Sequence, residues 1–211
     1  MIQGIRVLTH SSIRLQDKYI IYIDPFQVRD TPHDADFILF THDHHDHFSP
    51  EDVQKVIRPD TKIIAPEGMS DKAESVVPSE GAFYAVKPNT VKEIGGFIVE
   101  TVPAYNVLKP FHPRKAGWVG YIIKICGKRV YIAGDTDATD DNRGISCEVA
   151  MVPVGGTYTM DAKKAAELVN TIHPEIAIPT HYGSAVGDES AGETFRSLVQ
   201  SPIKVEIVKE Y

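Results

Sequence analysis

His42-Asp43-His44-His45-Asp46-His47 stands one residue behind the apolar run Ala35-Asp36-Phe37-Ile38-Leu39-Phe40. Four candidate metal ligands, His42, His44, Asp46 and His47, thus follow the end of what reads as a buried strand. Side chains of an extended segment alternate faces, so His42 and His44 are expected to point together at one metal, with Asp46 and His47 reaching toward a second. The competing reading is a histidine-rich surface turn, which has no reason to follow a buried strand or to find partners further along. Partners are present. Asp135 in Tyr131-Ile132-Ala133-Gly134-Asp135-Thr136-Asp137 and His181 in Ile178-Pro179-Thr180-His181-Tyr182-Gly183 each end a short apolar, strand-like run.

The H-x-H-x-D-H run, the later Gly134-Asp135-Thr136-Asp137 and the final Pro179-Thr180-His181-Tyr182-Gly183 resemble the metallo-β-lactamase superfamily, over nearly the whole chain. Shorter strings, Ile23-Asp24-Pro25, Val102-Pro103-Ala104-Tyr105-Asn106 and Gly120-Tyr121-Ile122-Ile123, are similar to small stand-alone metal-dependent hydrolases related to L-ascorbate-6-phosphate lactonase. The resemblance implies an α/β fold, the four-layer αββα sandwich. It also implies that His42 and His44 hold a first metal and that Asp46, His47 and His181 hold a second, with Asp135 bridging. Catalytic roles would fall on Asp46 and His181, Asp46 being open between ligand and acid/base. The implied cofactor is one or two zinc ions, with manganese or iron as alternatives. Such ions would activate a water for attack on a small anionic ester, a lactone or a phosphodiester.

One departure from the family pattern matters. A third histidine is expected on the first metal from the middle of the chain, yet between His47 and Asp135 only His112 exists. By motif position the slot falls on Tyr105 or Asn106, neither a good substitute for imidazole. Either His112 swings in from Lys109-Pro110-Phe111-His112-Pro113-Arg114-Lys115, or one metal binds firmly and another arrives with substrate. His112, His10 and Tyr182 are expected at the substrate. Lys109, Arg114 and Lys115 read either as an anion site or as a solvated loop. Asp24 and Thr41 are candidates to orient histidine rings from behind. His33 and His173 read as structural, and His45 points away.

A length of 211 residues with 42% hydrophobic and 24% charged residues suits one domain, 1–211, with a sizeable core. A net charge of −7 speaks against a wide nucleic-acid footprint. The N-terminal run Met1–Val7 has no export-signal pattern and no stretch approaches membrane-spanning length, so a cytoplasmic protein acting on a small molecule is expected. Cys126 and Cys147 are too few for a disulfide framework and read as structural thiols, Cys126 buried on a strand.

Strands are predicted over 4–9, 12–15, 19–23, 36–40, 62–65, 82–86, 90–94, 97–102, 118–125, 129–133, 175–178 and 204–208. Ser49 caps a helix running to about Ile57, Thr159 caps one carrying Ala162, Ala165, Ala166, Val169 and Ile172, and 190–200 is a third. Two other functions compete with hydrolysis. One is a metal-binding or regulatory protein of little activity; the other is a di-iron redox protein, disfavoured because such proteins carry glutamate where His44 stands.

Overall fold

The computed structural model describes residues 3–210; Met1 and Ile2, part of the run read for an export signal, and Tyr211 lie outside the described residues. The first sheet contains β1 (Ile5–Thr9), β2 (Ser12–Gln16), β3 (Ile20–Ile23), β4 (Phe37–Leu39), β5 (Lys62–Pro66) and β6 (Phe83–Val86), neighbours in chain order. The second runs from β7 (Val91–Ile94) through β8 (Phe97–Pro103), β9 (Val119–Ile125), β10 (Lys128–Ile132), β11 (Val149–Pro153) and β12 (Ile176–Thr180) to β13 (Lys204–Val205). Each sheet starts as an antiparallel meander and then turns parallel, at the β3/β4 pair in the first and at the β10/β11 pair in the second. The loose repeat of strands, ligand loop and helix read from the chain is therefore a repeat of topology.

Period-two side-chain alternation sorts the strands into layers. Phe37 and Leu39 of β4 join Val130 and Ile132 of β10 in the core between the sheets, with Ile13, Leu15, Ile123 and Met151. Ile38 and Ile63 face the other way, under Val53 and Val56 of helix α1 (Pro50–Val56) and Ala73 of α2 (Ser70–Glu74). Tyr131, Ala150, Val152 and Ala177 face outward from the second sheet, beneath Ala165, Leu168 and Val169 of α4 (Ala162–Ile172) and Phe195 of α5 (Ala191–Leu198). A short α3 (Asp140–Arg143) precedes β11. Helix, sheet, sheet, helix is the expected four-layer sandwich, and each large side chain it buries contributes about 1.5–3 kcal/mol.

Local readings held where local chemistry decides. Ser49 accepts from the Asp52 amide and Pro50 opens α1, as its sequence predicts. Asp52 also accepts from the amides of Gln27 and Val28 at 2.8 and 2.9 Å, tying the segment after β3 to the helix after the histidine run. Four readings need correction. Cys126 is exposed, because the chain turns there with φ +48 before β10. Asp161, not Thr159, caps α4 by accepting from the Lys164 amide at 2.8 Å, since Thr159 and Met160 are buried under the helix start. The last strand stops at Val205; the chain peels off and its Glu210 amide donates to Val7 of β1 at 3.0 Å. Finally, β11 was unread, although Val149-Ala150-Met151-Val152 is the uninterrupted apolar run of a strand covered on both faces. Among the described residues no helix is long and apolar enough to cross a membrane.

Leu15 is fully buried between the sheets, so Leu15→Ala is expected to lower stability by about 2–5 kcal/mol in urea denaturation. A loss under about 1 kcal/mol would contradict the packing described.

A candidate metal centre at the strand ends

Six chain segments meet where the strands end. His10 follows β1, Asp24 follows β3, the histidine run follows β4, His112 lies in the loop after β8, Asp135 follows β10, and His181 follows β12. Ligand sites of open α/β sheets lie outside such strand ends. His10, Asp24, His112 and His181 have φ of +50, +47, +57 and +59, left-handed conformations that swing a strand-end side chain out of the pleat. Each costs of order 1–3 kcal/mol, and hydrogen bonds hold them, the His181 amide donating to the His10 carbonyl at 2.9 Å.

The histidine run is not extended, as its alternation had suggested. The amides of His47 and Phe48 both donate to the His44 carbonyl, at 3.0 and 2.8 Å, so the run curls into a turn once it leaves the sheet. His42 and His44 still converge, with ring centroids 4.7 Å apart, and His112 joins them at 5.0 and 4.7 Å. Nitrogens of these three rings lie within 4.8 Å of one another, as do ligand atoms of His10, Asp46, His47 and His181. Asp135 stands between the groups. Its Oδ2 is 3.1 Å from His181 Nε2, 3.2 Å from His112 Nε2 and 3.8 Å from His42 Nε2, and its Oδ1 is 3.2 Å from His47 Nε2.

Hydrogen bonds behind the rings determine which nitrogen faces inward. Thr41 has one hydroxyl hydrogen, which goes to Asp24 Oδ2 at 2.6 Å, so toward His42 Nδ1, 2.9 Å away, Thr41 accepts. That arrangement keeps hydrogen on Nδ1 of His42 and leaves the lone pair of Nε2 for the centre. Asp24 treats His47 alike, accepting from Nδ1 at 2.7 Å while Nε2 faces Asp135. Both second-line residues singled out in the sequence are therefore in contact with the rings. Buried Nε2 atoms of His42, His47, His112 and His181, with Asp135 Oδ1, have no hydrogen-bond partner among the described residues. Buried polar atoms are seldom left so, and convergent lone pairs of imidazole and carboxylate are what a divalent ion takes.

Charge follows the same layout. Burial and the neighbouring His47 hold His42 well below the usual imidazole value. Burial also opposes charge on His47, but Asp135 and Asp24 override it and raise its pKa well above that value. Burial opposes ionisation of Asp135 as well, yet His181 and His47 keep its carboxyl well below the usual carboxylate range. Burial lowers His10 to about 4.

The other predicted residues fall as follows. His10 is buried, its Nε2 3.1 Å from Asp46 Oδ2 and its ring 3.9 Å from that of His181. Tyr182 was expected at the substrate but packs in the helix-side core against Gly192 and Phe195 of α5, because consecutive side chains at a strand end point opposite ways. Asn106, one of the two slots weighed for the middle histidine, brackets the loop instead. Its Nδ2 donates to the carbonyls of Tyr158 and Phe111 at 2.7 and 3.0 Å and stands 3.2 Å from His112 Nδ1. Lys109 binds Asp137 and Arg114 binds Asp141, and His45 is 90% exposed. The sequence reading missed Trp118, whose ring lies 5.0, 4.9 and 5.4 Å from those of His42, His44 and His112. Its only signal was its place at the head of a strand pattern.

Two packed mixed sheets with histidines and aspartates at their strand ends define the class of metallo-hydrolase folds. The sequence matches the beta-lactamase superfamily domain over residues 4–181, and the chain belongs to that family. A UPF0173 metal-dependent hydrolase of Pyrococcus abyssi is 30% identical over 97% of this chain and 96% of its own length. A crystal structure from Parabacteroides distasonis, 33% identical, covers 97% of this chain and 91% of its own with a TM-score of 0.80. The metallo hydrolase Igni18 of Ignicoccus hospitalis, at 22% identity, 97% and 94% coverage and a TM-score of 0.77, shares the fold.

Gly155 leaves no room for a side chain, since a Cβ there would lie 2.2 Å from the His181 carbonyl oxygen and 3.2 Å from its Nδ1. Gly155→Ala is therefore expected to cost about 1–3 kcal/mol in thermal unfolding. An unchanged melting temperature would show that His181 yields freely.

Proposed function

We propose that this metal-dependent hydrolase cleaves a small ester, a lactone or a phosphodiester, at two adjacent cation positions. His42, His44 and His112 would hold one ion; Asp46, His47 and His181 would hold the other; and Asp135 would lie between them. The observation that carries this reading is the set of buried, partnerless Nε2 atoms turned toward Asp135. Zinc is the ion we favour for a set of imidazoles with few carboxylates, with manganese or iron as alternatives. When bound, such ions lower the pKa of a water and polarise the scissile group, so no serine or cysteine nucleophile is required.

The remaining chemistry belongs to the chain. Asp24 and Thr41 orient His47 and His42. Asp46 is the more open carboxylate, its side chain 12% exposed against 3% for Asp135. Burial opposes its charge, but the imidazoles of His10 and His181, 3.1 and 3.5 Å away, hold its carboxyl well below the usual carboxylate range, so it would act first as an ionised ligand, with relay of a proton to the leaving group as its other role. His181 and His10 hold that carboxylate in place.

With Zn²⁺ or Mn²⁺ added, the purified protein is expected to hydrolyse at least one of bis(p-nitrophenyl) phosphate and γ-lactones. Asp135→Ala and His181→Ala should reduce kcat/KM at least about a thousandfold, and unchanged rates in both variants would overturn the site assignment. Asp24→Asn leaves every proposed ligand in place yet is expected to weaken Zn²⁺ binding about 10–100-fold in chelator competition. Parent-like affinity there would remove Asp24 from the centre.

A further inference from the structure

The contact behind an imidazole decides which of its ring nitrogens keeps the hydrogen and which is left to hold an ion. For His42 and His47 that contact is an oxygen, from Thr41 and Asp24, 2.9 and 2.7 Å from Nδ1. For His112 it is a nitrogen. Asn106 Nδ2 stands 3.2 Å from His112 Nδ1, and an amide nitrogen has hydrogens to give and no lone pair with which to accept.

The other partners of that amide fix its orientation. Tyr158 and Phe111 present carbonyl oxygens to Nδ2 at 2.7 and 3.0 Å, so an amide turned the other way would set its oxygen against two oxygens. Asn106 is buried, its backbone N–H donates to the His112 carbonyl at 2.8 Å, and its Oδ1 has no hydrogen-bond partner among the described residues. Main chain and side chain thus hold the same loop, and only a lone pair on His112 Nδ1 suits what faces it. The hydrogen then lies on Nε2, toward Asp135 Oδ2 at 3.2 Å.

An ion needs the opposite arrangement at Nε2. To bind one there, His112 has to carry its hydrogen on Nδ1, against the hydrogens of the Asn106 amide. Its neighbours do not offset this cost, since His42 and His44 add imidazoles only, and the half-buried His44 ring makes no hydrogen bond among the described residues. The other group has a carboxylate of its own in Asp46, and Asp24 backs His47. A cation beside Asp135 thus meets negative charge on one side and uncharged rings on the other.

We propose that Asn106 fixes His112 in the tautomer with hydrogen on Nε2, which makes the position of His42, His44 and His112 the weaker of the two and the second to fill. Asn106 is thus a positioning residue that acts through His112. The inference rests on the two-position reading above and adds the order in which the positions load.

The test uses the full chain labelled with ¹⁵N-histidine, and Zn²⁺ as the probe. Long-range ¹H–¹⁵N spectra separate ring nitrogens with and without hydrogen, and His112→Gln identifies the His112 signals. Metal-free protein is expected to show the lone pair on Nδ1 of His112 but the hydrogen on Nδ1 of His42. With one equivalent of Zn²⁺ the signals of His47 and His181 should move while those of His112 hold, and an excess should then move His112. Chelator competition should resolve two steps at least about tenfold apart, with His44→Ala losing the weaker and keeping the stronger. Asn106→Asp, which puts an acceptor behind Nδ1, should shift the His112 hydrogen to that nitrogen; if this variant does not fold, the parent spectra decide alone. Hydrogen on Nδ1 of His112 in the metal-free parent, two equal steps, or loss of the stronger step in His44→Ala overturns the inference and leaves the two positions standing. If no Zn²⁺ binds, the two-position reading falls and takes the inference with it.

Discussion

Asp135 is a buried carboxylate faced by four imidazole nitrogens from three different segments, and the rest of the molecule makes that arrangement tolerable. An isolated charge so placed would cost several kcal/mol, and buried nitrogens without partners add to it. The core between the two sheets, with its rows of isoleucine, valine and leucine, outweighs this local cost. A centre of this kind therefore needs a sandwich thick enough to support it.

The two sheets do different things for the centre. The first contributes the histidine run and, from β1 and β3, His10 and Asp24; the second contributes Asp135, His181 and the loop of His112. They are joined just beneath it, where Tyr121 of β9 donates to the Phe40 carbonyl at 2.6 Å and the Val119 amide to the Thr41 carbonyl at 3.2 Å. A shift of one sheet against the other would thus separate the two halves of the candidate ligand set. Rigidity of the core is in this sense a property of the site.

The loop from Tyr105 to Pro113 carries the buried imidazole of His112. Lys109 and Asp137 lock it to the strand end that bears Asp135, so that imidazole is registered against those of the histidine run. Asp137 belongs to the same Gly-Asp-Thr-Asp string as Asp135. The first aspartate serves the centre and the second anchors its loop.

Residue types and periodicity were enough to identify most strands, the capped α1, the pairing of His42 with His44 and the distant partners Asp135 and His181, because each depends on neighbours within a few positions. They also sufficed to single out Asp24 and Thr41, which follow strand ends. Sheet order, by contrast, decided that His112 completes the group of His42 and His44, that His10 backs Asp46, and that Trp118 closes one wall. Left-handed turns at strand ends sent His181 inward and Tyr182 outward, and burial of Met160 moved the helix cap from Thr159 to Asp161. Local pattern says what a side chain can do; where strands from separate parts of the chain bring their ends together says what it meets.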